Sequence, residues 1–191
     1  MPTLLPSSLR GVVELDPADL DWLHQLVGDW QVIADLSVSD LVLWARTESG
    51  RFVAIAHCRP STGTTVHLED VLGLRMPSAR EELALRTLES AQPQVAPDPE
   101  WTGTTAVREQ HVPVVRDGRA FAVITRETSV GVLRAGRLVE QPMESIADAL
   151  CAMIAEGAFP VKGAATGLRH GTPRVADGVV RLDVDGVIVY A

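Results

Sequence analysis

Thiols are scarce in this 191-residue chain: only Cys58 and Cys151 are present, far apart and without a C-x-x-C spacing. That excludes a multiply bridged secreted scaffold and a cysteine-rich zinc centre, and points to a reducing compartment. Basic residues are also short, with 17 Lys and Arg against 25 Asp and Glu and a net charge of -8. No positive field draws in phosphate backbones, which argues against direct nucleic-acid binding. No stretch reaches the ~18 uncharged apolar residues of a membrane span, and Met1-Pro2-Thr3-Leu4-Leu5-Pro6 lacks the basic-then-apolar order of a secretory leader. A cytoplasmic protein without membrane association is expected. Catalytic signatures are missing too: there is no G-x-x-x-x-G-K-[ST] phosphate loop, no G-x-S-x-G elbow and no H-E-x-x-H pair. What the chain does have is 46% hydrophobic and 22% charged residues, at a mean hydropathy of +0.13, enough to bury a substantial core.

Asp16-Pro17 predicts a helix start, because Asp accepts free first-turn N–H groups and Pro at the first helical position gives up only an unpartnered one. Leu23, Leu26, Val27, Trp30, Ile33 and Ala34 carry that helix to about residue 35 as one apolar face. Strand-like runs at 40–47 and 51–58 flank Glu48-Ser49-Gly50 and predict a hairpin. Residues 59–77, rich in Pro, Ser, Thr and Gly, form a long loop carrying His67, Glu69 and Asp70. A second helix is expected over 78–90, with Ser78 and Glu81 spaced as a capping box. Pro93, Pro97 and Pro99 then mark an exposed connection. A stronger hairpin follows, with strands at 104–115 and 120–125 around Arg116-Asp117-Gly118-Arg119.

Pro142 opens a last helix with Met143, Ile146, Leu150 and Met153 on one seam, ended by Gly157 and Pro160. Residues 161–177 read as a linker. Residues 178–191 read as strand, Asp-Gly turn and strand, and stop on the apolar run Val187-Ile188-Val189-Tyr190-Ala191. Strands do not alternate strictly with helices. The expected class is therefore α+β, an antiparallel sheet with helices packed mainly on one face.

Few side chains stand out chemically. His57 and Cys58 are both soft-metal ligands, but adjacent strand residues point to opposite faces. The pair reads more simply as a polar strand-end group beside a small buried thiol. His67 with Glu69 and Asp70 could hold a metal or polar ligand, against the plainer alternative of a solvated loop. His111 lies two residues from Glu109 on one strand face, where the pair either lines a pocket or makes a surface contact. His24 is expected in solvent and His170 in the linker. Trp30 belongs to the helical stripe and so to packing, while Trp44 can wall a cavity.

The run Val112-Pro113-Val114-Val115-Arg116-Asp117-Gly118-Arg119-Ala120-Phe121-Ala122-Val123-Ile124 resembles the late hairpin of GAF sensor domains. Asp29-Trp30-Gln31-Val32-Ile33-Ala34-Asp35-Leu36-Ser37, the strand from Asp40 to Trp44, and Arg59-Pro60-Ser61-Thr62-Gly63-Thr64-Thr65 are more particular. Together they resemble the N-terminal GAF-like domain of actinobacterial cytosolic sensor histidine kinases of the PdtaS type. The closing Arg181-Leu182-Asp183-Val184-Asp185-Gly186-Val187-Ile188-Val189-Tyr190-Ala191 resembles the first strands of the PAS domain that follows in that family. The resemblance covers roughly 16–160 and 175–191.

It implies a GAF-like domain over 1–160, a linker over 161–177 and truncated PAS strands over 178–191. The phosphoacceptor His and the ATP-binding domain would lie in a later, absent portion. It implies no cofactor or metal in these residues, a homodimer built on the first or the last helix, downstream PAS and kinase domains in the same chain, and a cognate response regulator of RNA-binding antiterminator type. Ligands of GAF folds sit over the sheet beneath the long loop, so Trp44, Ile55, His57, Arg59, His111 and Val123 are the implied ligand-binding residues. The expected role is sensory: biasing the downstream kinase, with no catalysis here. Two other readings stay open. One is a ligand-free dimerisation scaffold, and the other a small free-standing enzyme using His57, His111, Glu69 and Asp70.

Overall fold

A computed structural model of the chain describes residues 11–61, 65–131, 141–163 and 180–190. The expected linker falls almost wholly outside them, as does His170. Helix α1 (Pro17–Asp29) starts at Asp16, whose side chain accepts the Asp19 amide at 2.7 Å. It does not run on to residue 35. The chain pauses at Trp30 and resumes as α2 (Gln31–Ser37), which Val38 closes in the left-handed region at φ 47°. Trp30 keeps a right-handed backbone, φ -71° and ψ -10°, so the apolar stripe continues across the break.

Strands β1 (Asp40–Arg46) and β2 (Phe52–Cys58) make the first hairpin, and α3 (Ser78–Ser90) follows the long loop. The expected capping box does not form: Pro77 is the N-cap and offers no side-chain bond. Glu81 instead meets the Arg51 guanidinium at 2.7 Å and accepts the Phe52 amide at 3.4 Å. A charged tertiary partner competes successfully with a neutral local one. The proline-rich connection contributes two short strands, β3 (Gln94–Val95) and β4 (Glu100–Thr102). The strong hairpin is longer than expected, β5 (Thr105–Arg116) and β6 (Arg119–Ser129). Its two-residue turn places both Asp117 (φ 51°) and Gly118 (φ 77°) at positive φ, the twist that suits a tight hairpin. Helix α4 (Gln141–Glu156) and the small hairpin β7 (Arg181–Leu182) and β8 (Ile188–Tyr190) complete the described elements.

The large sheet runs β2-β1-β6-β5-β3, with β4 also paired to β5, and every pairing is antiparallel. Both faces are covered. On one, Leu23 and Leu26 of α1, Trp30 at the break, Ile33 of α2 and Ile154 of α4 pack with Leu43, Ile55, Val112 and Ile124. On the other, Ala84 of α3 and Met76 of the loop pack on Trp44, Phe52, Ala54 and Val123. The α1–α2 stripe is thus used inside its own domain. The loop's far end is pinned as a further edge of the sheet: the Ala54 amide donates to Leu74 and the Gly73 amide to Ala54, both at 2.9 Å.

Candidate functional site

Strand alternation decides which side chains meet under α3. The register sets Glu109 opposite Glu127, His111 opposite Thr125 and Trp44 opposite Val123, all on the α3 face. Two glutamates face to face, 2% and 1% exposed, would repel strongly without a cation between them. Arg80, from the first turn of α3, supplies it. Its Nη2 lies 2.6 Å from Glu109 Oε2 and 2.5 Å from Glu127 Oε1. His67 on the loop donates through Nε2 to Glu127 Oε2 at 2.6 Å. The Thr125 hydroxyl donates to Glu127 Oε1 and accepts from Trp44 Nε1, both at 2.9 Å. His111 Nε2 contacts Glu109 Oε1.

The ionisation states follow from these contacts. Burial favours the acid form of Glu127, but the His67 hydrogen bond and the Arg80 charge outweigh it and hold the pKa down at about 2. Burial likewise favours neutral His67, yet the bond and charge of Glu127, helped by Asp40, hold its pKa above the ordinary value. Burial pushes the Cys58 thiol up to about 12, with Asp35 and Asp40 adding to it.

Asp40, fully buried, fastens the loop. Its carboxylate accepts the Val66 amide at 2.9 Å, the His67 amide at 2.7 Å and the Thr65 hydroxyl at 2.8 Å. Arg59 holds the same turn by donating from Nε to the His67 carbonyl at 2.9 Å. His57 is buried with both ring nitrogens unbonded, 3.7 Å from the carboxylates of Asp40 and Asp70. Its ring meets His67 edge-on, with centroids 5.5 Å apart.

Two clefts flank Arg80. One, of about 370 Å³, runs from Trp44, His67 and Arg80 up to Leu74, Arg75 and Trp101. The other, of about 300 Å³, lies between α3 and residues 96–100 and reaches Glu109 and His111.

Of the six residues implied to bind a ligand, Trp44 lines the first cleft, where His67 of the loop joins it, and His111 lines the second. Val123 is buried on the same sheet face, the His57 side chain is 2% exposed there, and Arg59 braces the loop. Ile55 is a correction: it points into the opposite core against the helices. A register shift in the β1–β2 pairing puts both Ile55 and Ala56 there, so simple alternation from His57 misplaces it. His57 and Cys58 do face opposite ways. The carboxylates of the alternative enzyme do not converge with both histidines: Asp70 is near His57, while His111 sits with Glu109 and Glu69 is exposed. Arg80, Glu127, Asp40 and Trp101 also build the site, and no motif or spacing in the sequence marks them. Acidic residues within otherwise apolar strands were the available signal for Asp40 and Glu127. Among the described residues no group of three or more His, Cys, Asp and Glu is arranged to hold a metal, and no helix is long and apolar enough to cross a membrane.

An antiparallel sheet with a long loop and a helix closed over a polar floor defines a sensor-type α+β domain. The chain belongs to the GAF-domain family of the histidine kinase PdtaS, whose family model matches residues 7–147. It is 35% identical over 176 residues to the sensor histidine kinase PdtaS of Mycobacterium tuberculosis, covering 90% of this chain and 35% of that protein. It is 33% identical over 175 residues to PdtaS of Mycolicibacterium smegmatis, with the same coverage. A solved structure of the sensor region of a sensor histidine kinase superposes with a TM-score of 0.73 at 32% identity, covering 96% of this chain and 62% of that one. The chain thus spans about a third of the length of its curated relatives.

Proposed function

We infer that this GAF sensor domain controls the kinase activity of a longer protein. In this reading residues 1–160 are the sensory domain, 161–177 a linker and 178–191 the first strands of a PAS domain. Autophosphorylation, ATP binding and phosphotransfer to an antiterminator-type response regulator belong to later portions of the same cytoplasmic, homodimeric protein. The observation that carries the reading is the match to the PdtaS GAF-domain family and to sensor histidine kinases about three times as long as this chain. The Arg80 network supports it physically. One guanidinium ties α3 to two strands while His67 ties the loop to the same carboxylate, so a signal that shifts the loop is felt by α3 and the sheet together. With the α1–α2 stripe buried, α4 is the better dimer face, since Ile146, Leu150 and Met153 remain only partly covered.

The test is labelled phosphate incorporation from ATP. The 191 residues alone should incorporate none, and the full-length protein should change its autophosphorylation rate when residues 11–160 are removed. Label in the isolated chain, or a full-length rate indifferent to that removal, would overturn the reading.

A further inference from the structure

We propose that the rim formed by Leu74, Arg75, Glu100 and Trp101 is a self-complementary surface that docks on the same rim of a second copy of this chain. Trp101 on β4 keeps 73% of its surface in water, and Leu74 at the end of the long loop keeps 56%. Two large apolar side chains exposed at one place mark an interaction surface, and tryptophan is a side chain that often anchors one. The loop's end supplies one edge of this rim and β4 another, and each apolar group has a charged neighbour: Arg75 follows Leu74, and Glu100 precedes Trp101. Both charged side chains are exposed, and among the described residues neither has an ion-pair partner.

Charge decides which partner fits. A surface of one sign calls for a partner of the other, whereas this rim holds a cation beside one apolar group and an anion beside the other. A half-turn about an axis running along the cleft lays the loop edge of each copy on the β4 edge of its mate. That one operation sets Arg75 against Glu100 and Leu74 against Trp101, twice over, and leaves none of the four groups unmatched. A two-fold axis running across the cleft would set Arg75 on Arg75 and Glu100 on Glu100, so the charges also select the operator. Both edges are fixed before docking. Leu74 accepts the Ala54 amide at 2.9 Å and the Met76 amide donates to Phe52 at 3.0 Å, while Trp101 is paired with Ala106 of β5, so little ordering entropy is lost on association. The net charge of -8 on each copy opposes approach, but at physiological salt it is screened beyond about 8 Å. A rim of four side chains falls well short of the ~800 Å² per partner of a standard interface, so the dimer is weak, with a Kd of about 10–500 μM. None of the four residues belongs to the α4 seam, and the pairing does not depend on the sensory reading.

The test is sedimentation velocity of the 191-residue chain at physiological salt, from about 10 μM to about 1 mM. The parent chain should pass from monomer toward dimer across that range, and Trp101→Ala should weaken the dimer about tenfold. Arg75→Glu brings like charges together at both contacts, as does Glu100→Arg, so each variant alone should associate at least about tenfold more weakly than the parent. Mixed in equal amounts, the two variants should form a heterodimer within about threefold of the parent affinity, because every contact then joins opposite charges again. All three positions are exposed, so the fold is not threatened, and circular dichroism checks this. No association of the parent up to about 1 mM, a dimer indifferent to Trp101→Ala or to either charge reversal, or a mixture no tighter than its components would overturn the proposal.

Discussion

Arg80 separates two carboxylates that the strand register forces to face each other. Replacing it by Met leaves Glu109 and Glu127 buried, charged and opposed, and should cost about 3–5 kcal/mol in urea unfolding. A loss below about 1 kcal/mol would mean that the network is not a stabilising unit. His67 makes the same network dependent on pH. Its folded pKa is raised, so its contribution is complete below the unfolded value of about 6.5 and is lost as pH rises through the folded value. Glu127 works in the other direction: with a folded pKa of about 2, its contribution is complete above the unfolded value near 4.3 and is lost as pH falls. Stability from this cluster should therefore be greatest between about pH 4.5 and 6.5. His67→Gln should flatten the alkaline decline seen in denaturation curves at pH 6, 7, 8 and 9. The thiols are expected to be inert. Burial puts Cys58 at about 12 and Cys151 at about 11, so a thiol-reactive dye at pH 8 should label neither until denaturant is added. Prompt labelling of the native protein would contradict the burial.

Elements in this fold end where backbone conformation demands it. Gly157 follows α4 at φ 72°, and a Cβ there would come within 3.2 Å of the Val115 carbonyl oxygen. Gly118 sits at φ 77° with nothing within 4 Å of such a Cβ. Both Ala substitutions incur left-handed strain of about 1 kcal/mol, and Gly157→Ala adds a steric penalty that Gly118→Ala lacks. Parallel thermal melts should show the first mutant clearly less stable; equal midpoints would mean that β5 yields to α4 without cost. The failed capping box at Ser78 teaches a related point. The spacing to Glu81 was legible, but Arg51 and the Phe52 amide lie on another element, and nothing local announces them.

At the scale of the whole molecule, stability should follow position in the sheet. β1 and β6 are central and covered on both faces, whereas Val184, Val187, Ile188 and Val189 of the closing hairpin are exposed. Hydrogen exchange should be slowest in β1 and β6 and fastest at 181–190; protection of that hairpin equal to β6 would overturn this. The sequence by itself determined most of the element types, the two hairpins of the main sheet, the α+β class and the family, because these rest on periodicity, turn residues and motif order along the chain; the break at Trp30 and the short strands β3 and β4 it did not mark. Tertiary structure alone decided that Arg80 would sit between Glu109 and Glu127, that His67 would close over the same carboxylate, and that a register shift would turn Ile55 away. Those outcomes depend on strand register and on contacts between residues dozens of positions apart. A buried charge finds its partner through space, and spacing along the chain carries no record of it.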